Sequence, residues 1–370
     1  MATKYGILAL SEQRINEVEN WLGAQIDVTT TTGNPGPDGP PLWGLSHFTW
    51  FGDDKKAEFE RVFGQSDRRL VGHFKMAGGD ERGSESYPYE EAANGDHDAG
   101  YRQTAQELVD VGMEDTIIRV SAEFNLSWGQ YPGDPQNYAD GFARVVREMQ
   151  SVDGADFTFL YSPGGNQIGV AEEAWPLDSQ YWPSGEPTPF VAPSFYDASF
   201  HYDGDTITQE DREKGWIDTR DNKLKMWEEM AQRLGASGMA APEWGVATEQ
   251  YPPPTGEDNP YFMEHVLDYM DSNYEFVTYW NSESASGGSH EIYPSDAAGL
   301  NEASQVFQDF VGQKLSGSTD ESTSEPETTY GGYSQPEEGT ANWHVPLNEN
   351  FADIEADIKE LAARIEQLEN

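Results

Sequence analysis

The sequence of 370 residues has no cysteine. Disulfides, thiolate metal sites and a thiol nucleophile are therefore excluded. Basic residues are scarce: 22 Lys and Arg stand against 67 Asp and Glu, a formal net charge of −45. A surface of that sign repels phosphate backbones and anionic headgroups, so neither nucleic acid nor an anionic membrane is the main partner. No stretch stays apolar for 18 residues, and nothing reads as a membrane span. The opening MATKYGILALSEQRINEVENW carries a single Lys before a very short apolar run and does not read as a secretory signal. A role outside a cell then calls for another export route or for a leader that precedes this sequence. Gly-x-Ser-x-Gly is missing, which argues against a serine hydrolase of the nucleophile-elbow type. SPGGN (162–166) resembles a phosphate turn but lacks the Lys.

The acidic excess is spread along the whole chain. Such self-repulsion is screened at molar salt, where the Debye length falls to roughly 3 Å. The composition resembles that of proteins from extreme halophiles, and the expectation is a fold that needs salt. Hydrophobic residues at 36% and aromatics at 12% supply a substantial core.

Short β-rich runs alternate with helical patterns. KYGILAL (4–10), AQIDVTTT (24–31), RRLVGHFKM (68–76), TIIRVSAE (116–123), FTFLYSPG (157–164), FVAPSFYD (190–197), GMAAPEWG (238–245) and EFVTYWNS (275–282) are each followed by a helical segment or a loop leading to one. Eight strand-then-helix units predict an α/β fold, a (β/α)₈ TIM barrel, over residues 1–315. A doubly wound open sheet is the competitor, and the Gly-rich turn it would carry after an early strand is absent. Residues 316–341, rich in Ser, Thr, Glu, Gly and Pro, read as a solvated linker. In 342–370, Leu347, Phe351, Ile354, Ile358, Leu361, Ile365 and Leu368 alternate by four and three, an a/d heptad seam. The expectation is a C-terminal coiled-coil helix that makes the chain a homo-oligomer through 347–368; docking back onto the barrel is the alternative.

In a (β/α)₈ barrel, functional groups gather at the C-terminal ends of strands. Glu123 ends the fourth run and Glu243 the seventh, with Trp128 and Trp244 close by in sequence. Two carboxylates across a barrel mouth suit glycoside hydrolysis: one protonates the leaving oxygen, the other attacks the anomeric carbon or activates water. Aromatic rings stack on the apolar faces of sugar rings, and the chain has 11 Trp and 18 Tyr. Either Glu taken singly could instead be a structural ion-pair partner.

The segment AANGDHDAGYRQTAQELVDVGMEDTIIRVSAEFNLSW resembles the third helix and fourth strand of glycoside hydrolase family twenty-six, the β-mannanase family. Where that family has an Arg, then His-Glu-Met-Asn-Gly, then a Trp, this chain has Arg119, then Ala122, Glu123, Phe124, Asn125 and Leu126, then Trp128. The Ser-Pro ending of the fifth strand, a Tyr at the end of the sixth, APEWGV and YWNSES continue the likeness, which covers roughly 94–283. The resemblance implies a retaining mechanism with Glu123 as general acid/base and Glu243 as nucleophile. It implies Tyr196 near the nucleophile, Trp280 as a sugar platform, and Arg119, Asn125 and Trp128 around the substrate; Trp244, beside Glu243 in sequence, is expected to wall the site. The chain departs from the family at two places: Ala122 replaces the His that helps hold the sugar next to the cut, and Leu126 replaces the Gly.

No metal or other cofactor is expected. The seven His are scattered, and His97 in GDHDAG lacks a partner motif, so a loop or helix-cap role is expected of it. Two functions from different classes remain. One is a salt-adapted endo-glycosidase, β-mannanase-like, acting on a β-linked polysaccharide. The other is a glycan-binding adhesion or viral tail-fibre protein that displays the barrel on its oligomerising stalk. Both take a polysaccharide or cell-surface glycan as partner, and both place the protein outside a cell or on a virion surface.

Overall fold

The computed structural model describes residues 3–9, 11–30, 53–74, 76, 89–126, 134–165, 168–202, 204, 206–248, 254–282, 289–294 and 299–317. Of the expected linker 316–341, Ser316 ends a helix and Gly317 caps it, while residues 318–341, the heptad seam 347–368 and Trp128 lie outside the described residues.

Alternation along extended backbone sends residues i and i+2 to one face and i+1 to the other. Among the described residues, nine short strands use that alternation: β1 (Lys4–Ile7), β2 (Val28–Thr30), β3 (Arg69–Phe74), β4 (Ile117–Val120), β5 (Thr158–Tyr161), β6 (Phe190–Val191), β7 (Phe195–Tyr196), β8 (Ala241–Gly245) and β9 (Phe276–Tyr279). They pair in the order β6-β5-β4-β3-β2-β1-β9-β8-β7, every pair parallel. Strands β6 and β7 are two halves of the sixth expected strand, parted around Pro193, which has no N–H to give to a ladder. The Val191 N–H donates to Gly238 O and the Ala240 N–H to Val191 O, each at 3.0 Å, and these bonds close the curled sheet into a barrel.

Inside the barrel, Val28, Val71, Ile117, Leu160, Ala192, Ala240 and Phe276 form one apolar layer. The opposite strand faces, among them Ile7, Leu70, Ile118, Val120, Tyr161, Val191 and Val277, join Val18, Phe142, Val146, Trp227, Leu267 and Phe307 in the larger core beneath the helices. Those helices include Glu12–Leu22, Asp98–Asp110, Pro135–Gln150, Lys225–Leu234, Pro260–Asn273 and Asn301–Ser316. Their starts are chemically marked. Ser11 accepts from the Arg14 N–H, Asp134 from the Gln136 N–H ahead of a helix that opens on Pro135, and Asn259 from the Phe262 N–H.

Two residues along from the apolar layer, the inward positions turn polar. Thr30 follows Val28, His73 follows Val71, Arg119 follows Ile117, Ser162 follows Leu160, Ser194 follows Ala192, and Thr278 follows Phe276. Because all strands run the same way, this second layer lies nearer their C-terminal ends. The fold thus stacks a polar floor on an apolar plug, directly below the mouth.

Candidate active site

Strand β8 carries the central carboxylate, and an irregularity aims it. Against β9, Ala241 pairs with Val277 but Trp244 with Tyr279, so three steps on one strand match two on the other. Pro242 cannot donate to the ladder within that interval. The extra residue reverses the alternation, as a β-bulge does. Glu243 therefore faces the barrel interior, and Trp244 faces the helices.

This corrects one expectation. Trp244 does not line the mouth: it is 0% exposed, packed among Phe195, Tyr279 and Phe307, and its indole Nε1 has no hydrogen-bond partner among the described residues. It is a core residue.

The Glu243 carboxylate is held from two sides. Arg119 Nη1 donates to Oε2 at 2.5 Å, and the Tyr196 hydroxyl donates to Oε1 at 2.7 Å. Arg119 is fully buried and spends its planar fork on four inward residues from four strands or strand ends. Nε donates to Ser162 Oγ at 2.8 Å, Nη2 to Ser194 Oγ at 2.7 Å, and Nη1 reaches His73 Nε2 at 2.6 Å as well as Glu243. An arginine only donates, so His73 Nε2 is the acceptor, and a neutral His73 carries its proton on Nδ1. Ser162 in turn donates to Ala192 O at 2.7 Å. Arg119, expected against the substrate, instead braces the floor beneath Glu243.

The fourth strand ends at Val120, earlier than the sequence pattern suggested, and Glu123 stands three residues beyond in a tight turn. Ser121 and Glu123 both have positive φ, 44° and 55°. Side chains other than glycine reach that region at a cost of order 1–3 kcal/mol, and such strain collects at functional sites. Three contacts hold the turn. The Glu123 N–H donates to Ser162 O at 2.7 Å, and Asn125 pairs with the Gly164 backbone at both ends of its amide, 2.9 and 2.7 Å. Gly164 lets the turn pack closely: a Cβ there would stand 2.6 Å from Leu126 Cδ1 and 3.1 Å from Glu123 Cγ, so both side chains would have to shift. Asn125, expected to contact substrate, is 2% exposed and serves as the clamp of this turn.

Ser162 thus ties both carboxylate-bearing segments together. Its carbonyl takes the Glu123 N–H while its hydroxyl takes Arg119 Nε, one bond away from Glu243. Trp280, one residue past β9, is half-buried and lies against His73 with ring centroids 6.3 Å apart. Tyr196 is stacked on His290, centroids 4.4 Å apart. His73, Ser162, Ser194 and His290 were not singled out from the sequence. The first three could have been, as the inward polar residues two places after an inward apolar one. His97 opens the helix Asp98–Asp110 without a side-chain cap and lies 3.4 Å from Glu91. No cluster of metal-ligating side chains is found among the described residues, and no helix among them is long and apolar enough to cross a membrane.

No protein-family model and no curated protein matches the sequence. Solved structures do. An endo-β-1,4-mannanase double mutant from Cellulomonas fimi aligns with a TM-score of 0.54 at 15% identity, over 84% of this chain and 70% of the other. Fungal β-1,4-galactanase aligns at 0.52 and 12% identity, over 83% and 99%. A glucosidase from Croceicoccus marinus aligns at 0.50 and 12% identity, over 85% and 67%. At such identities the likeness is one of fold: the chain has the α/β-barrel fold found in these glycoside hydrolases.

Proposed function

We propose that the barrel is a retaining endo-glycosidase acting on a β-linked polysaccharide, with β-mannan the first substrate to try. One observation carries the reading: the Glu243 carboxylate at the strand ends is gripped by a buried guanidinium on one oxygen and a phenol on the other. A nucleophile needs that fixed approach, and correct alignment is worth several kcal/mol of barrel-held geometry over a free carboxylate. In the first step Glu243 attacks the anomeric carbon. The bond to the glycosidic oxygen breaks, and that oxygen takes the proton of the Glu123 carboxyl. In the second step Glu123 removes a proton from water, the water attacks the anomeric carbon, and Glu243 leaves as a carboxylate with the configuration retained. The strained, clamped turn under Glu123 supports its role as acid/base. Trp280 offers its exposed part as a platform for a sugar face. The resemblance to the β-mannanase family supports the same two roles, and the charge of −45 supports work at high salt.

The test is a panel of β-linked polysaccharides and aryl glycosides in molar salt, with wild type and Glu243→Ala compared. Turnover by wild type and its loss in the variant, with binding kept, is the expected result. Wild-type binding with no turnover of any glycan would make the barrel a lectin, with Ala122 the first residue to revert.

A further inference from the structure

His290 takes no direct part in the chemistry above, yet it touches the group that does. Its ring lies face to face with Tyr196, centroids 4.4 Å apart and planes 28° apart. The Tyr196 hydroxyl is the donor to Glu243 Oε1. On its other side His290 is pinned at several points. Its Nδ1 lies 2.7 Å from Val246 O, its N–H donates to Ser282 O at 3.0 Å, and its carbonyl accepts from the Tyr279 hydroxyl at 2.8 Å. The preceding residue is tied to the loop after β8 by two bonds between Ser289 and Thr248, at 2.8 and 3.0 Å. The residue is 1% exposed.

The chemistry of these contacts fixes the ring. A carbonyl can only accept, so Nδ1 carries the proton. Burial pushes the imidazole below its ordinary value, against the pull of Val246 O and the Glu243 carboxylate, which favour the charged form. The ring is therefore neutral at pH 7, and its plane is set by the Nδ1–H to Val246, three residues after Glu243 on the same segment. A flat, unrotatable face is thus presented to Tyr196. Without it the phenol loses the ring face that sets its plane, and its hydroxyl can shift away from Glu243.

We propose that His290 is a positioning residue for Glu243, acting through the ring of Tyr196. The proposal rests on Glu243 being the nucleophile, and it adds a residue to that reading from the loop after the last strand. His290 supplies two separable things: a ring face for Tyr196 and a donor for Val246 O. His290→Phe keeps the face and loses the donor. His290→Asn keeps a donor and loses the face.

The experiment is steady-state kinetics and thermal melting of His290→Phe, His290→Asn, Tyr196→Phe and the double variant His290→Asn/Tyr196→Phe, on the best substrate of the wild-type protein. His290→Asn is expected to lower kcat on the order of tenfold or more with KM within about twofold, the signature of lost alignment rather than lost substrate contact. His290→Phe should keep more of kcat than His290→Asn even where it melts lower. The double variant should be no slower than the slower single, because both remove one chain of contacts. Rates that instead follow melting temperature across the variants, or effects of His290→Asn and Tyr196→Phe that multiply, would overturn the proposal. A crystal structure of His290→Asn reads it without activity: the Tyr196 hydroxyl should have left Glu243 Oε1, and a bond kept at its present 2.7 Å overturns the proposal. If wild type cuts no glycoside at all, the enzyme reading falls, and the crystal structure still decides whether His290 places Tyr196.

Discussion

Arg119 on the fourth strand and Glu243 on the eighth meet inside the barrel, 2.5 Å apart, with side-chain exposures of 0% and 13%. Removing one partner of a pair this buried leaves the other charge without compensation, which typically costs 3–5 kcal/mol. Arg119→Met should therefore lower the unfolding free energy by about 3–5 kcal/mol in denaturant titration and abolish turnover. Arg119→Lys keeps the charge but cannot span Ser162, Ser194, His73 and Glu243 with one ammonium, and should recover stability only in part.

Asp197, next to Tyr196, gives a pH signature. It is fully buried, accepting from the Tyr202 hydroxyl at 2.7 Å and from Asn259 Nδ2 at 2.8 Å. Burial raises its pKa to about 6, and those two hydrogen bonds offset only part of the effect. An unfolded Asp titrates near 3.9, so between about pH 4 and 6 the folded chain holds the extra proton. Folding then takes up a proton, and this group's contribution to stability is present below about pH 4 and lost as pH rises through about 6, a change of order 2–3 kcal/mol. Melting curves from pH 4 to 7 should show that slope in wild type relative to Asp197→Asn. Parallel curves would assign Asp197 an ordinary titration.

Glu123→Ala should discriminate by leaving group. A glycoside with a poor leaving group needs the proton that Glu123 supplies, and general acid catalysis is worth typically 10²–10⁴-fold. An activated aryl glycoside needs none. The ratio of kcat/KM for aryl substrate over polysaccharide should rise by about that factor. An equal loss on both would remove Glu123 from the acid role.

The charge of −45 predicts salt dependence. Lowering NaCl or KCl from molar to about 0.1 M lengthens screening from roughly 3 to 10 Å and lets the acidic surface repel itself. The melting temperature should fall across that range; a constant value would remove salt adaptation from the account.

The barrel was legible because eight apolar runs alternate with helical patterns, but the strands stop short of those runs, the first at Ile7 and the fourth at Val120. The inner polar layer was not singled out, although Val71–His73, Ile117–Arg119 and Leu160–Ser162 carry its mark, each one apolar and one polar residue two places apart. Three further features were not legible. The bulge at Pro242 that turns Glu243 inward and Trp244 outward is a register shift against β9, and local alternation cannot show it. The grip of Tyr196 and Arg119 on Glu243 joins residues 47 and 124 apart in sequence, and only the closed barrel brings them together. The left-handed turn at Glu123 was missed for a different reason: nothing in SAEFN marks a residue other than glycine for positive φ.

The central claim is that Glu243 forms the covalent bond to sugar. Wild type, incubated at molar salt with a 2-deoxy-2-fluoro glycoside of whichever sugar the panel identifies, should accumulate the glycosyl-enzyme, and peptide mass spectrometry should find the label on Glu243. A label on any other residue, or turnover that inverts the anomeric configuration without a covalent intermediate, would contradict the account.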